Sequence, residues 1–561
     1  MRNAVFMCLV VASALLCQGA MAWAQFHDPR ALESDPDLVD GPIAPSLDGL
    51  GDHHFEVTTG DPESQKFFDQ GLKLTYGFNH SEALRAFKEA ARIDPNNAMA
   101  YWGWALVLGP NLNLPMLPDP EIIDQAWEAS RMALSLKDSV SAKERGLIEA
   151  LAERYVEEQV EDRSPLDRAY ADAMGELHAQ YPEDDDIATL YAAALMNLNP
   201  WSYWYPDGEP RENTPALIAS LESVIERSPD HAGARHYYIH AMEAQHPDKA
   251  VAAADELAPL MPGAGHMVHM PSHIYMRVGR YADSYAANSK AVEADEEYIT
   301  QCRAQGIYPL GYYPHNIHFM VWSAMFEGRS ADALAAARKV AEKIPADVPD
   351  EVWSVYELFR SQPYYTMVRF GMWEEILSEP KPIDRARFMI GVWHYARALA
   401  YLESDNRGRA KRELKALRKI REEIERDGYA IGFGSADTLL TIAEEVVSGE
   451  MAADRGKYDD ALGHLARAVR LEDSLPYSEP PEWYFPVRHV LGAVLLEAGY
   501  PEEAEVVYWA DLQRNPENGY ALFGLQQSLR AQGKDEAGQA VAVRFEKAWM
   551  NADTTLTSSR Y

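Results

Sequence analysis

The feature that most constrains this chain is a recurring order of small, large and helix-ending residues. From Ser64 to Pro95 the sequence sets Gly71, Ala83, Phe87, Ala90 and Pro95 at the offsets of a helix-turn-helix repeat of roughly 34 residues. Two antiparallel helices approach closely only where Gly or Ala faces Ala, and an aromatic ring fills the space beside that contact. The order returns from Gly328 to Pro345 with Ala333 and Ala337, and from Gly456 to Asp473 with Ala461, Leu465 and Ala468. It returns again from Gly499 to Pro516 with Ala504 and Tyr508. Weaker units close at Pro182, Pro229, Pro262 and Glu296, and a last pair runs from Gly519 towards Trp549. Period matching predicts about eleven helix pairs. The 561 residues then form a repeat array rather than three or four separate domains.

This order resembles the tetratricopeptide (TPR) repeat. The lines FFDQGLKLTYGFNHSEALRAFKEAARIDPNNAMAYWGWALVLGPNLN, HMPSHIYMRVGRY, YYPHNIHF and PPEWYFPVRHVLGAVLLEAG look like those of a group of bacterial TPR-repeat proteins. The likeness covers most of the mature chain. It implies an all-α, TPR-like α-solenoid, a right-handed superhelix of antiparallel helix pairs, whose concave groove holds a protein or peptide partner. The expected organisation is a signal peptide at 1–24, an extended leader at 25–60 rich in Pro, Asp and Gly, and an N-terminal array at 61–350. A C-terminal array at 351–550 and a tail at 551–561 follow.

The amino terminus supports export. Arg2 precedes an apolar run from Ala4 to Leu16, and Ala22 and Ala24 suit signal peptidase. Leu16 before Cys17 argues against acylation, and no later stretch is apolar for long enough to span a bilayer. A periplasmic or secreted protein is expected, with Cys302 as its one remaining thiol and no intrachain disulfide. The formal net charge of -35 repels phosphates, so nucleic acid is not an expected partner, and it concentrates cations near the surface. The charged run RGRAKRELKALRKIREEIER, from Arg407 to Arg426, reads as a solvated helix face with opposite charges three and four residues apart.

The chemistry is in the histidines. Nine of the seventeen lie between His231 and His318, where an even spread over 561 residues puts about three. Counted from each repeat's closing residue, His266 and His315 take the second place of their repeats. His236, His269 and His318 take the fifth, and His240 and His273 the ninth. Steps of three and four residues stack these side chains on one helix face, which in proteins of this resemblance lines the groove. Neutral imidazoles one turn apart can share a Zn, Cu or Fe ion. Glu243 follows His240 by three residues and makes a two-histidine, one-carboxylate set with His236 and His240. Tyr275 and Arg277 are nearby in the register as orienting groups or anion ligands. Pro271 introduces a break that bears on where His266 and His269 point. Met267, Met270 and Met276 read as packing residues rather than Cu(I) ligands, and Asn79 and His80 as a turn and cap.

Two readings stay open. One is a binding scaffold whose groove holds a protein or peptide, with the histidines as polar contacts or a structural metal site. The other is a metal-dependent enzyme in which the cluster activates water or oxygen. The sequence contains no H-E-x-x-H, P-loop, G-x-S-x-G or paired-Cys motif, which disfavours the common hydrolases and NTPases.

Overall fold

The computed structural model describes residues 41–561 except 115–118, 159, 303–310, 346–347, 349 and 432–433. The expected signal peptide, the first part of the leader and the Cys302 side chain lie outside the described residues. The fold is all-α and TPR-like: short helices follow one another through tight turns, and most of the described ones pack on the next in sequence. Among the described residues, strand structure is confined to a two-residue hairpin, Ala430–Ile431 with Gly434–Ser435, and an isolated bridge from Trp204 to Pro210.

The first helix pair, Pro62–Tyr76 and His80–Ile93, shows why the sequence folds this way. Asp61 accepts from the Glu63 N–H, and Pro62 sits in the first turn, where its missing N–H costs nothing. A Cβ at Gly71 would lie 2.7 Å from the Phe87 ring, and Gly103 of the following helix, Ala98–Leu108, leaves no more room on the ring's other side. One aromatic is thus clasped by two glycines from flanking helices. The same clasp recurs late in the chain, where Gly492 and Gly524 enclose the fully buried Tyr508 ring. The small and large places of the repeat are the geometry of this contact.

The chain divides into two compact units. One extends to Ile274 and includes Lys290–Tyr313, and the other comprises Tyr275–Ser289 and Pro314–Tyr561. The division therefore passes through the histidine-rich repeats, ahead of the 350/351 boundary expected from the sequence. In the first unit, residues 41–60 are extended and lie along the first helix pair. The Ile43 N–H donates to Glu89 at 2.9 Å, the Leu47 N–H to Gln70 at 2.9 Å, and Phe55 and Val57 are buried. In the second unit, the charged helix Arg407–Asp427 buries Ala410, Leu414, Leu417 and Ile424 and leaves its ionic face to solvent, where Arg421 and Glu425 pair at 2.9 Å. Among the described residues, no helix is long and apolar enough to cross a membrane.

Candidate metal centre

Five histidines of the first unit come together in the interior. His236 and His240 lie one turn apart on the helix Ala232–Met242. Gly233 brings that helix hard against the Tyr76 ring, since a Cβ there would stand 2.6 Å from it. The close approach places His236 Nδ1 2.6 Å from the Tyr76 carbonyl oxygen. The next histidine-bearing segment is split. The helix Gly265–His269 ends at Met270, and Pro271 begins a new helix, Pro271–Arg277, because its ring and missing N–H interrupt the ladder. His266 and His269 precede the break and His273 follows it, yet the Nε2 atoms of His269 and His273 still meet at 2.7 Å.

The five rings form a closed cycle. Centroid separations are 4.9 Å from His236 to His240, 5.7 Å on to His273, 4.6 Å to His269, 5.9 Å to His266 and 4.9 Å back to His236. All five are at most 3% exposed. One nitrogen from each of His236, His240 and His266 lies within 4.8 Å of the others, and the Nε2 atoms of His236 and His266 approach to 3.1 Å. Burial, with the neighbouring imidazoles adding to it, holds His236 and His266 well below the ordinary imidazole range. Both are therefore neutral, as a metal-binding imidazole must be.

The hydrogen bonds assign the ring protons. Glu243 is fully buried and sets one carboxylate oxygen 3.0 Å from His240 Nδ1 and the other 2.6 Å from His273 Nδ1. A carbonyl and a carboxylate only accept, so the Nδ1 atoms of His236 and His240 carry the protons and their Nε2 atoms keep the lone pairs. This is the arrangement in which an acceptor on one ring nitrogen fixes the tautomer and makes the other a better ligand. Glu243, read from the sequence as a ligand beside His236 and His240, sets its two oxygens against the Nδ1 atoms of His240 and His273. His269 Nδ1 is 3.2 Å from the Ser272 hydroxyl.

Aromatic rings enclose the cycle. Phe78 lies 4.4 Å from His236 and stacks on His240 and His266 at 5.6 and 5.5 Å. Tyr312 lies 4.9 Å from His266, and Trp201 meets His240 edge-on at 5.2 Å. Sequence reasoning missed Tyr76, Phe78, Trp201 and Tyr312 as parts of this site. The turn motif at Phe78, Asn79 and His80 was the one available signal, and it gave no indication of a partner some 160 positions later.

The remaining expected site residues belong to the other unit. His318 is buried and edge-on to Phe359 at 5.6 Å, and burial pulls it down to about 3. His315 is partly buried and 5.0 Å from Phe319. The Tyr275 ring lies under the Arg280 guanidinium at 4.1 Å, and Arg277 stands 5.8 Å from the Tyr477 ring.

A second cluster in the first unit, His53, Asp186 and His231, is of a different kind. His231 Nδ1 accepts from the Ala234 N–H at 3.1 Å, so its proton sits on Nε2, 3.5 Å from Asp186. Tyr76 donates to Asp186 at 2.6 Å, and His53 Nε2 lies 2.9 Å away. Burial pushes the Asp186 carboxyl up, but the hydrogen bonds from His231 and His53 outweigh it and hold the group well below the usual range. With its protonated nitrogen towards Asp186, His231 braces the leader and offers no lone pair to a metal ion.

No protein-family model matches the chain, and no curated protein matches it. Solved structures similar to it include the human IFIT1 dimer with m7Gppp-AAAA, at 12% identity and TM-score 0.30, covering 88% of this chain and 91% of that one. Yeast Tom70 has 12% identity and TM-score 0.28, covering 86% and 90%. The Naa15/Naa10 complex bound to HypK-THB has 12% identity and TM-score 0.21, covering 87% and 71%. Likenesses this distant say nothing of function.

Proposed function

We propose that this chain is an exported TPR-repeat protein of bacterial type that binds a divalent transition metal, Zn, Cu or Fe, through His236, His240 and His266. It acts in the periplasm or outside the cell, where its repeats hold a protein or peptide partner. The observation that carries the metal reading is the convergence of three buried imidazole nitrogens within 4.8 Å, two of them on rings whose Nδ1–H is already committed to Tyr76 or Glu243. Two nitrogens each about 2.0–2.1 Å from one ion, at a right or tetrahedral angle, stand roughly 2.9–3.4 Å apart. The 3.1 Å between His236 and His266 suits that bite.

A metal-dependent enzyme is the second reading. Three protein nitrogens leave a coordination position for water or substrate, as catalytic sites do. Phe78 and Tyr237, beside the cycle, also line a small cleft of about 50 Å³, with Arg154 and Asn197 among its polar walls.

Elemental analysis of protein purified without an affinity tag tests the metal reading. Bound metal is expected at no less than one equivalent, and the His236→Ala/His240→Ala variant is expected to bind one equivalent less while the helical circular dichroism persists. Wild-type protein that retains none of Zn(II), Cu(II) or Fe(II) after incubation and desalting overturns it. Export is tested by the amino terminus of the mature protein, expected at Gln25.

A further inference from the structure

We infer that the imidazole cycle holds two metal ions, the second between His269 and His273, and that Glu243 couples the two positions. The inference rests on the metal reading above and extends it from three ligands to five.

The cycle has two halves built to the same plan. In each, two Nε2 atoms face one another at close range: 3.1 Å for His236 and His266, 2.7 Å for His269 and His273. In each, the remote nitrogen of one partner lies beside a polar oxygen: His236 Nδ1 donates to the Tyr76 carbonyl, and His273 Nδ1 stands 2.6 Å from a Glu243 oxygen. One ion does not account for both, because the nitrogens of His236, His240 and His266 that lie within 4.8 Å of one another form one set, and those of His269 and His273 fall in another. The two gaps are separate bites on opposite sides of the cycle.

Glu243 joins them. Its two oxygens hold His240 of the first set and His273 of the second from one fully buried carboxylate. Its carboxylate, in the same interior as the neutral His236 and His266, offsets part of the charge that two cations bring. Neither set of nitrogens fills a tetrahedral shell, so each ion keeps a position for a further ligand. The ligand class that fits such a pair is an oxygen donor able to bridge two ions, such as hydroxide, a carboxylate or a phosphate ester.

Titration of the metal-free full chain with Zn(II) alone, followed by calorimetry and elemental analysis after desalting, tests this. Two equivalents are expected. The His269→Gln/His273→Gln variant, close in shape to the wild type, is expected to bind one and to keep its helical dichroism. Glu243→Gln leaves every ligand in place and removes one acceptor, so it is expected to weaken both equivalents by 10- to 100-fold. A wild-type stoichiometry of one overturns the inference and leaves the metal reading standing, and zero overturns both. Two equivalents retained by His269→Gln/His273→Gln, or an effect of Glu243→Gln on one equivalent only, also overturn it.

Discussion

Phe78 offers the sharpest test of how the site is built, because its backbone and its ring make opposite demands. The ring is buried, 4% exposed, with four imidazoles within 5.6 Å of its centroid. The residue has φ of 58°, the left-handed region that residues with a Cβ occupy at a cost of roughly 1–2 kcal/mol. Removing a buried Phe side chain to Ala costs about 3–5 kcal/mol. Ala keeps the Cβ and hence the backbone cost, whereas Gly escapes it. At a position with ordinary φ, Gly destabilises by roughly 0.5–1 kcal/mol relative to Ala through unfolded-chain entropy. At φ of 58° the two terms oppose each other, and the larger wins. Phe78→Ala is therefore expected to lose about 3–4 kcal/mol and Phe78→Gly to be more stable than Phe78→Ala by up to about 1 kcal/mol. Urea unfolding of the metal-free protein, read by circular dichroism with hydrogen exchange over residues 232–242, measures both. A Phe78→Gly variant that unfolds at lower urea than Phe78→Ala refutes the backbone argument. Equal stability of both variants with wild type refutes the packing argument.

Two further predictions concern the other unit. Glu357 is fully buried, accepting from the Met389 N–H at 2.8 Å and from the Tyr429 hydroxyl, and burial pushes its carboxyl up to about 7. A carboxyl raised in the folded state contributes stability that is present below its unfolded value and lost as pH rises through the folded one. Stability of this unit is therefore expected to fall by about 2–3 kcal/mol between pH 4.5 and 7.5. Glu357→Gln flattens that part of the curve in pH-dependent urea midpoints, and an unchanged slope contradicts the assignment. Gly524→Ala, which drives a Cβ into the Tyr508 ring, is expected to destabilise by 1–3 kcal/mol or more. Gly463→Ala, in an exposed helix with nothing within 4 Å, is expected to stabilise by about 1 kcal/mol. Thermal melts that rank the two alike refute the clasp.

The likeness between Gly71–Phe87–Gly103 and Gly492–Tyr508–Gly524 explains why the fold was legible in the chain. Helix pairing depends on side-chain size at fixed offsets, and size is written in each residue whatever its distant surroundings. The candidate histidines were legible for a related reason, since steps of three and four residues put His236 and His240 on one helix face without help from the rest of the chain.

What the sequence determined by itself was therefore local: helix, repeat and the crowding of imidazoles. Only the tertiary structure decided which of them meet. It closed His236, His240, His266, His269 and His273 into one cycle, and placed His315, His318, Tyr275 and Arg277 in the other unit. It also set Glu243 between His240 and His273, and brought Tyr76 and Phe78 to histidines far along the chain. The physical reason is that a ligand is a lone pair with a direction. The direction is set by whichever acceptor holds the opposite ring nitrogen, and here that acceptor comes from a distant helix for His236 and from the buried Glu243 carboxylate for His240.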